Sequence, residues 1–195
     1  AKGRYFHQLI LEPQKASEVQ SVDVSSRNSK AYKDALLRLD KDFLILDKEC
    51  REIEGLVNTM MGNLDFFDAI RSTGNVYEEP GVGMIKDRLW KGKADIITDE
   101  IIIDLKTTSN IKDFKYSAKK YNYDSQAYLY QQFFDKPLTF YVIDKATHEL
   151  GVFEPGAEFL LGGREKVLRA VEVYEKFFGD SPKEDINNFF IREDL

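Results

Sequence analysis

Residues 91–108, KGKADIITDEIIIDLKTT, constrain the fold of this chain more than any other stretch. They divide into two isoleucine-rich runs, 93–97 and 101–106, separated by the polar Thr98-Asp99-Glu100. β-Branched runs bounded by polar turn residues read as the two strands of a hairpin. Successive strand side chains point to opposite faces, so Asp104 and Lys106 share a face and Leu105 takes the other. With Asp99-Glu100 alone as the loop, Asp95 pairs opposite Asp104, and two carboxylates and an ammonium converge on one patch. A three-residue loop shifts the pairing by one, and Asp-Glu is not a favoured two-residue turn, so the residues leave both registers open. Charges set inside apolar strands are rarely buried unless paired or bound to a metal. An Asp–Lys pair on the solvent face of an edge hairpin has the same local pattern.

The surrounding chain bounds what such a hairpin can belong to. With 195 residues and 43% hydrophobic content, one domain with a substantial core is expected. No run has the length of a membrane span and no charged-then-apolar leader opens the chain, so a soluble, cytoplasmic protein without membrane partners is expected. The single cysteine, Cys50, cannot form an internal disulfide or hold a zinc or iron–sulfur site by itself. A net charge of −6 argues against a nucleic-acid partner, but the basic residues are grouped. They gather at Arg27, Lys30, Lys33, Arg38 and Lys41, within residues 86–93, and at Lys112, Lys115, Lys119 and Lys120. Each group reads first as a solvated face, with a contact for phosphates as the alternative.

Apolar periodicity supplies the remaining elements. Phe6, Leu9 and Ile10 lie on one side of a helix that ends before Pro13. Residues 14–27 read as a connector with one extended piece at 19–24. A helix capped by Asn28 or Ser29 runs to about Leu39, a short apolar run covers 43–46, and helices follow at 47–61 and 63–71. From Asn75 the period becomes two: 76–79 is a strand, Pro80-Gly81 a turn, and 82–90 the returning strand. Glu78 and Glu79 are adjacent, so only one can face a given site. Beyond Lys106 the pattern predicts a helix over 111–119 and a second whose Tyr123, Gln126 and Tyr130 fall on one side. Strands at 137–144 and 150–153 precede a helix over 157–178, with Gly162-Gly163 as a candidate break and an acidic, aromatic tail to Leu195. The expected architecture is α/β: a helical part over about 1–73, a mixed central sheet with a right-handed crossover helix over about 75–153, and a covering helix over about 157–179.

Gly92-Lys93-Ala94 precede the first Asp, and the longer pattern is G-x-x-D (Gly92, Asp95) followed nine residues later by D-x-K-T (Asp104, Lys106, Thr107). This resembles the core of the PD-(D/E)xK nuclease superfamily in its RecB-like form. G-x-x-x-H (Gly3, His7) followed by L-x-L-E-P is similar to the start of RecE-type exonucleases, and Y-x-x-Q-x-x-x-Y (Tyr123, Gln126, Tyr130) resembles the motif such nucleases carry beside the active site. The likeness implies a restriction-endonuclease-like core, a mixed central sheet flanked by helices. Asp104 stands where many superfamily members have Glu, as it does in RecE-like and RecB-like enzymes.

Such a site needs one or two hard divalent ions, Mg²⁺ or Mn²⁺, for which Asp95, Asp104 and the Leu105 carbonyl supply oxygen ligands. By resemblance His7 is a further ligand and Glu79 a site glutamate. Lys106 orients the attacking water or neutralises charge on the phosphorane oxygens. Gln126 contacts the scissile region or terminal base, and Tyr123 or Tyr130 a phosphate; Lys112, Lys115, Lys119 and Lys120 are candidate DNA contacts. Some relatives carry a four-cysteine iron–sulfur staple, which one cysteine cannot build, so no cluster is expected. The resemblance implies an exodeoxyribonuclease that digests linear duplex DNA 5′ to 3′ in phage-type recombination, supplies a single-strand annealing protein and forms a ring tetramer, with a segment preceding Ala1. A single-strand or branched-DNA nuclease with the same site, or a non-catalytic DNA-end binding module, are the alternatives.

Overall fold

The computed structural model describes residues 2–189 together with 191 and 193; the rest of the acidic, aromatic tail lies outside the described residues. The chain opens with α1 (Lys2–Leu11), α2 (Pro13–Ser17), β1 (Ser21–Val22), α3 (Lys30–Leu39), β2 (Ile45–Leu46), α4 (Asp47–Gly62) and α5 (Leu64–Arg71). The sheet strands β3 (Val76–Ile85), β4 (Arg88–Ile97) and β5 (Ile102–Thr108) follow, then α6 (Phe114–Lys120), α7 (Tyr123–Phe134), β6 (Leu138–Asp144), β7 (Leu150–Phe153) and α8 (Ala157–Phe178). A 3-10 turn, Ile186–Phe189, comes after α8.

Five strands form one sheet in the order β3-β4-β5-β6-β7. Only the β5–β6 pair is parallel, because α6 and α7 carry the chain back across the sheet, as a parallel connection requires. Each face has its own core. Phe6 and Ile10 of α1, Met60 of α4 and Ile70 of α5 pack with Ile96, Ile103 and Leu105 on one face. Phe114, Ala118 and Ala127 of α6 and α7 pack with Ala94, Ile102, Phe140 and Val142 on the other. Alternation along β5 is therefore real, with Leu105 in the first core and Lys106 over the Tyr123 and Phe140 rings of the second. The architecture is the mixed α/β sheet flanked by helices that the sequence predicted.

Four local expectations are corrected. Pro80-Gly81 is no turn: β3 runs through it, paired Pro80 to Lys93 and Gly81 to Gly92. Proline is tolerated there because β3 is an edge strand. The turn is Lys86-Asp87, both at positive φ (50° and 60°), as a two-residue hairpin loop with the proper twist requires. Residues 14–27 are not a plain connector, since Pro13 opens α2 at its first helical position, and the extended piece shrinks to β1, paired parallel with β2. The helix predicted from Ile111 starts at Phe114, and the Ile111 N–H donates to Asp144 Oδ2 at 2.8 Å. Gly162-Gly163 does not interrupt α8.

The helical layer that carries α1 is fastened by one buried carboxylate. Glu49, in the first turn of α4, accepts the Leu46 N–H at 3.1 Å, pairs with Lys2 Nζ of α1 at 2.9 Å and is clasped by Arg27. Burial pushes its pKa up, but Arg27, Lys2 and the Leu46 amide outweigh burial and hold it at about 2. A group whose folded pKa lies below its unfolded value contributes stability above the unfolded pKa and loses it as pH falls through the folded one. Since both cations are partly exposed, Glu49→Gln should cost about 2 kcal/mol at pH 7. The deficit against the parent chain should close as pH falls from about 4.5 to 2. Chemical denaturation across that range measures it.

Candidate active site

The β4–β5 hairpin turns on Asp99-Glu100 alone. The Thr98 N–H donates to Ile101 O at 2.9 Å, and Thr98 Oγ1 accepts the Ile101 N–H at 2.9 Å and the Glu100 N–H at 3.2 Å. The threonine hydroxyl thus stabilises a turn whose own residues do not favour it. Pairs Ile97↔Ile102 and Ile96↔Ile103 follow, and one more step in this register sets Asp95 against Asp104. There the backbone pairing stops, and the Leu105 N–H donates instead to Asp95 Oδ2 at 2.8 Å. Both carboxylates are buried, 7% and 1% exposed.

The neighbouring strand breaks step at the same level. Tyr77 and Ile96 pack in the first core, whereas Ala94, two residues from Ile96, packs in the second. A regular strand would put both on one face. Across from Asp95 stands Glu78, flanked by the pairs Tyr77↔Ile96 and Glu79↔Ala94, with φ at 55°. That strained residue marks where the pleat changes face. Its consequence is a correction: Glu78, not Glu79, lines the cavity with His7, Asp95 and Lys93, and pairs with Lys93. Glu79 is set opposite Ala94.

α1 presents His7 to the end of this hairpin. His7 Nε2 lies 2.9 Å from the Leu105 carbonyl oxygen, and Nδ1 lies 3.7 Å from Asp95 Oδ1. From the other face α7 brings Gln126, whose Nε2 donates to Asp104 Oδ1 at 2.5 Å. Lys106 makes an ion pair with Asp104 Oδ2, the oxygen that Gln126 does not take, and its ammonium sits 4.7 Å from the Tyr123 ring centre. Burial pulls the Lys106 pKa down, yet the Asp104 and Asp95 carboxylates outweigh burial and leave it raised. Lys106 is therefore a cation throughout the neutral range, suited to electrostatic work.

His7, Asp95, Leu105, Asp104, Lys106 and Gln126 are thus brought together. Tyr130 is placed differently: its hydroxyl donates to Lys93 O at 2.7 Å and accepts the Lys93 N–H at 3.3 Å, so its proton is committed to the strand. This explains the glycine of G-x-x-D, since a Cβ on Gly92 would stand 2.5 Å from Tyr130 Cε1. Lys112, Lys115, Lys119 and Lys120 are exposed on and before α6. Tyr123 lines a separate cavity with Thr107, Ser109, Ser117, Tyr121 and Lys145. Sequence reading missed Arg4 and Gln8, which line the His7 cavity; the available signal was the spacing of Arg4, three residues before His7 and four before Gln8 on one helix.

The family model of a PDDEXK-like domain of unknown function (DUF3799) matches residues 1–179. The chain belongs to this PDDEXK-like family. A solved structure of a proposed exonuclease from Eubacterium rectale is similar in fold, with a TM-score of 0.64 and 15% identity over 90% of this chain. The PDDEXK-like chain spans 65% of the length of that structure. A phage related exonuclease from Haemophilus somnus 129PT aligns at a TM-score of 0.40 and 15% identity, over 80% of this chain and 89% of its own. A comparison with curated proteins gives no significant match.

The donor set of this PDDEXK-like domain fits a hard divalent cation. Among the described residues no three His, Cys, Asp or Glu side chains form a ready metal cluster, so a closed all-side-chain cage is not what the site offers. It offers two buried carboxylates against one largely buried ammonium, which leaves an excess of negative charge, and the Leu105 carbonyl beside His7 Nε2. The 2.9 Å between those last two atoms is about the separation of adjacent corners of an octahedron with bonds of roughly 2.0–2.1 Å.

Burial, and then the charge of Asp104, push the Asp95 pKa up to about 6, against the lowering pull of His7, Lys106 and the Leu105 amide. A raised folded pKa gives stability that is complete below the unfolded value and lost as pH rises through the folded one. In EDTA the parent chain should accordingly lose stability between about pH 4 and 7, and Asp95→Asn, which keeps an acceptor for the Leu105 N–H, should flatten that slope. Thermal melts across the range test it. Mg²⁺ should raise the melting temperature of the parent and not of the variant.

Proposed function

We propose that this PDDEXK-like domain is a metal-dependent exodeoxyribonuclease that hydrolyses linear double-stranded DNA from its ends, 5′ to 3′. The observation that carries the reading is the buried Asp95–Asp104–Lys106 group at the point where the β4–β5 pairing gives way to side-chain contacts. His7 Nε2, the Asp95 and Asp104 carboxylates and the Leu105 carbonyl would hold Mg²⁺ or Mn²⁺. Such an ion, when bound, lowers the pKa of its water and stabilises both the attacking and the leaving oxygen. Lys106, charged and held at Asp104, sets a fixed positive charge where the phosphorane oxygens gain negative charge, at no reorganisation cost. Gln126, anchored on Asp104, would position the strand beside the metal. The hydrogen bond from the Leu105 amide fixes one Asp95 oxygen and leaves the other toward His7.

The name exonuclease given to the Eubacterium rectale neighbour agrees with this reading, as does the family's PDDEXK-like character. The 3′ single strands left by such digestion would pass to an annealing protein, and a ring-shaped homotetramer is the assembly we propose for holding the duplex.

Linear duplex labelled at the 5′ or the 3′ end, incubated with Mg²⁺ or EDTA and with Asp104→Asn as control, tests the proposal. Release of 5′ label as mononucleotides, lost in EDTA and in the variant, is expected. Intact duplex alongside cut single-stranded or flapped DNA would replace it with a single-strand or branched-DNA nuclease. No cleavage of any DNA, with duplex ends still bound, would leave an end-binding module.

A further inference from the structure

A cavity of about 350 Å³ contains His7 and Asp95. Arg4 and Gln8, one turn apart on α1, line it and also line a second cavity of about 670 Å³. That second cavity is walled by the segment between α2 and β1 and by the approach to β2, where Lys41 and Phe43 stand. Its polar lining is Arg4, Lys41, Gln8, Gln20 and one carboxylate, Glu18. Phe43 is 46% exposed. The Arg27 guanidinium lies 4.8 Å from its ring centre and is itself held by the buried Glu49. The ring is therefore fixed from behind by an anchored cation and presents its remaining surface to the cavity.

A fixed aromatic surface beside cations and uncharged amides is the chemistry of single-stranded nucleic acid. Bases stack on the ring whatever their sequence, and phosphates take the cations. A base inside a duplex cannot do this, because both its faces are already stacked. We propose that this second cavity receives the single strand continuous with the one cut at His7 and Asp95, with a base stacked on Phe43 and backbone phosphates toward Arg4 and Lys41. The proposal rests on reading the His7–Asp95 cavity as the place of cleavage.

Binding in EDTA of fluorescent dT12, and of an abasic strand with the same number of phosphates, tests it on the full chain, Phe43→Leu and Phe43→Tyr. Leucine keeps an apolar group under Arg27, and melting curves confirm that each variant is folded. The parent should bind dT12 roughly tenfold more tightly than the abasic strand. Phe43→Leu should lose that preference and Phe43→Tyr retain it. A preference unchanged in Phe43→Leu, or absent from the parent, overturns the proposal. Cleavage is assayed on the same preparations. A parent that cuts DNA with no Phe43-dependent preference rejects the strand path and leaves the nuclease reading. A parent that cuts nothing but shows the preference rejects cleavage at Asp95 and, with it, the continuity claimed here, leaving a stacking site alone.

Discussion

Lys106→Ala should lower release of end label from linear duplex by roughly 10²–10³-fold, the usual cost of removing one preorganised charge from a reacting centre. The same substitution should also destabilise the metal-free chain. Asp104 is 1% exposed, and without the ammonium its carboxylate keeps only the Gln126 hydrogen bond. Breaking a buried ion pair from one side typically costs about 3–5 kcal/mol, which for a chain of this length is roughly 10 °C in melting temperature. Mg²⁺ should recover more of that loss in Lys106→Ala than it adds to the parent, because the cation then has no competitor at Asp104. Label release and melting curves, each with Mg²⁺ and with EDTA, read both halves. A variant that cuts at the parent rate would remove Lys106 from the chemistry, and one that melts like the parent in EDTA would show that Asp104 does not depend on it.

Gly163→Ala should be the most damaging methyl group in the chain. By intrinsic propensity alanine stabilises a helix interior over glycine by about 1 kcal/mol, and Gly162-Gly163 stands inside α8. The tertiary contact reverses the sign. A Cβ on Gly163 would stand 2.0 Å from the Asp124 carbonyl oxygen and 2.3 Å from its carbon. These are backbone atoms of α7 and cannot swing aside as a side chain can. α7 would have to move away from α8, straining the Lys166–Asp124 contact at 2.8 Å and shifting Gln126 relative to Asp104. Overpacking of this kind costs about 1–3 kcal/mol or more. Gly162→Ala is the control, since its Cβ would meet only Asp124 Oδ2 at 3.7 Å and should be neutral or stabilising. Melting curves of the two variants should therefore move in opposite directions, and Gly163→Ala should lose cleavage activity beyond what its folded fraction explains. Equal melting temperatures would mean that the two helices are not in close contact.

Glu78 and Gly163 show why some of the site was hidden in the sequence. Resemblance points to Glu79, but Glu78 adopts φ of 55°, and the faces change hands at that residue. Nothing local demands this, because positive φ is unfavourable for glutamate on its own; the surroundings of Asp95 impose it. The pair Pro80-Gly81 likewise has the composition of a turn. It is a strand because β3 is an edge, where a missing N–H is harmless, and because Gly81 leaves room for Phe134, whose Cζ would be 2.5 Å from a Cβ there. Tyr130 sits on the stripe with Gln126 as helical spacing required, yet its hydroxyl belongs to the Lys93 backbone.

Properties that repeat along the chain were determined by the sequence alone. The isoleucine runs and the polar turn gave the hairpin, alternation put Lys106 with Asp104 and away from Leu105, and helical spacing put Gln126 and Tyr123 on one side of α7. These depend on periods of two and 3.6 residues, which each segment carries within itself. Tertiary structure alone decided which glutamate enters the site, which glycines are contacts instead of breaks, and that the cavities of His7 and Phe43 share Arg4 and Gln8. Those outcomes depend on atoms brought together from distant parts of the chain, and packing at close range is not encoded in the pattern of any one segment.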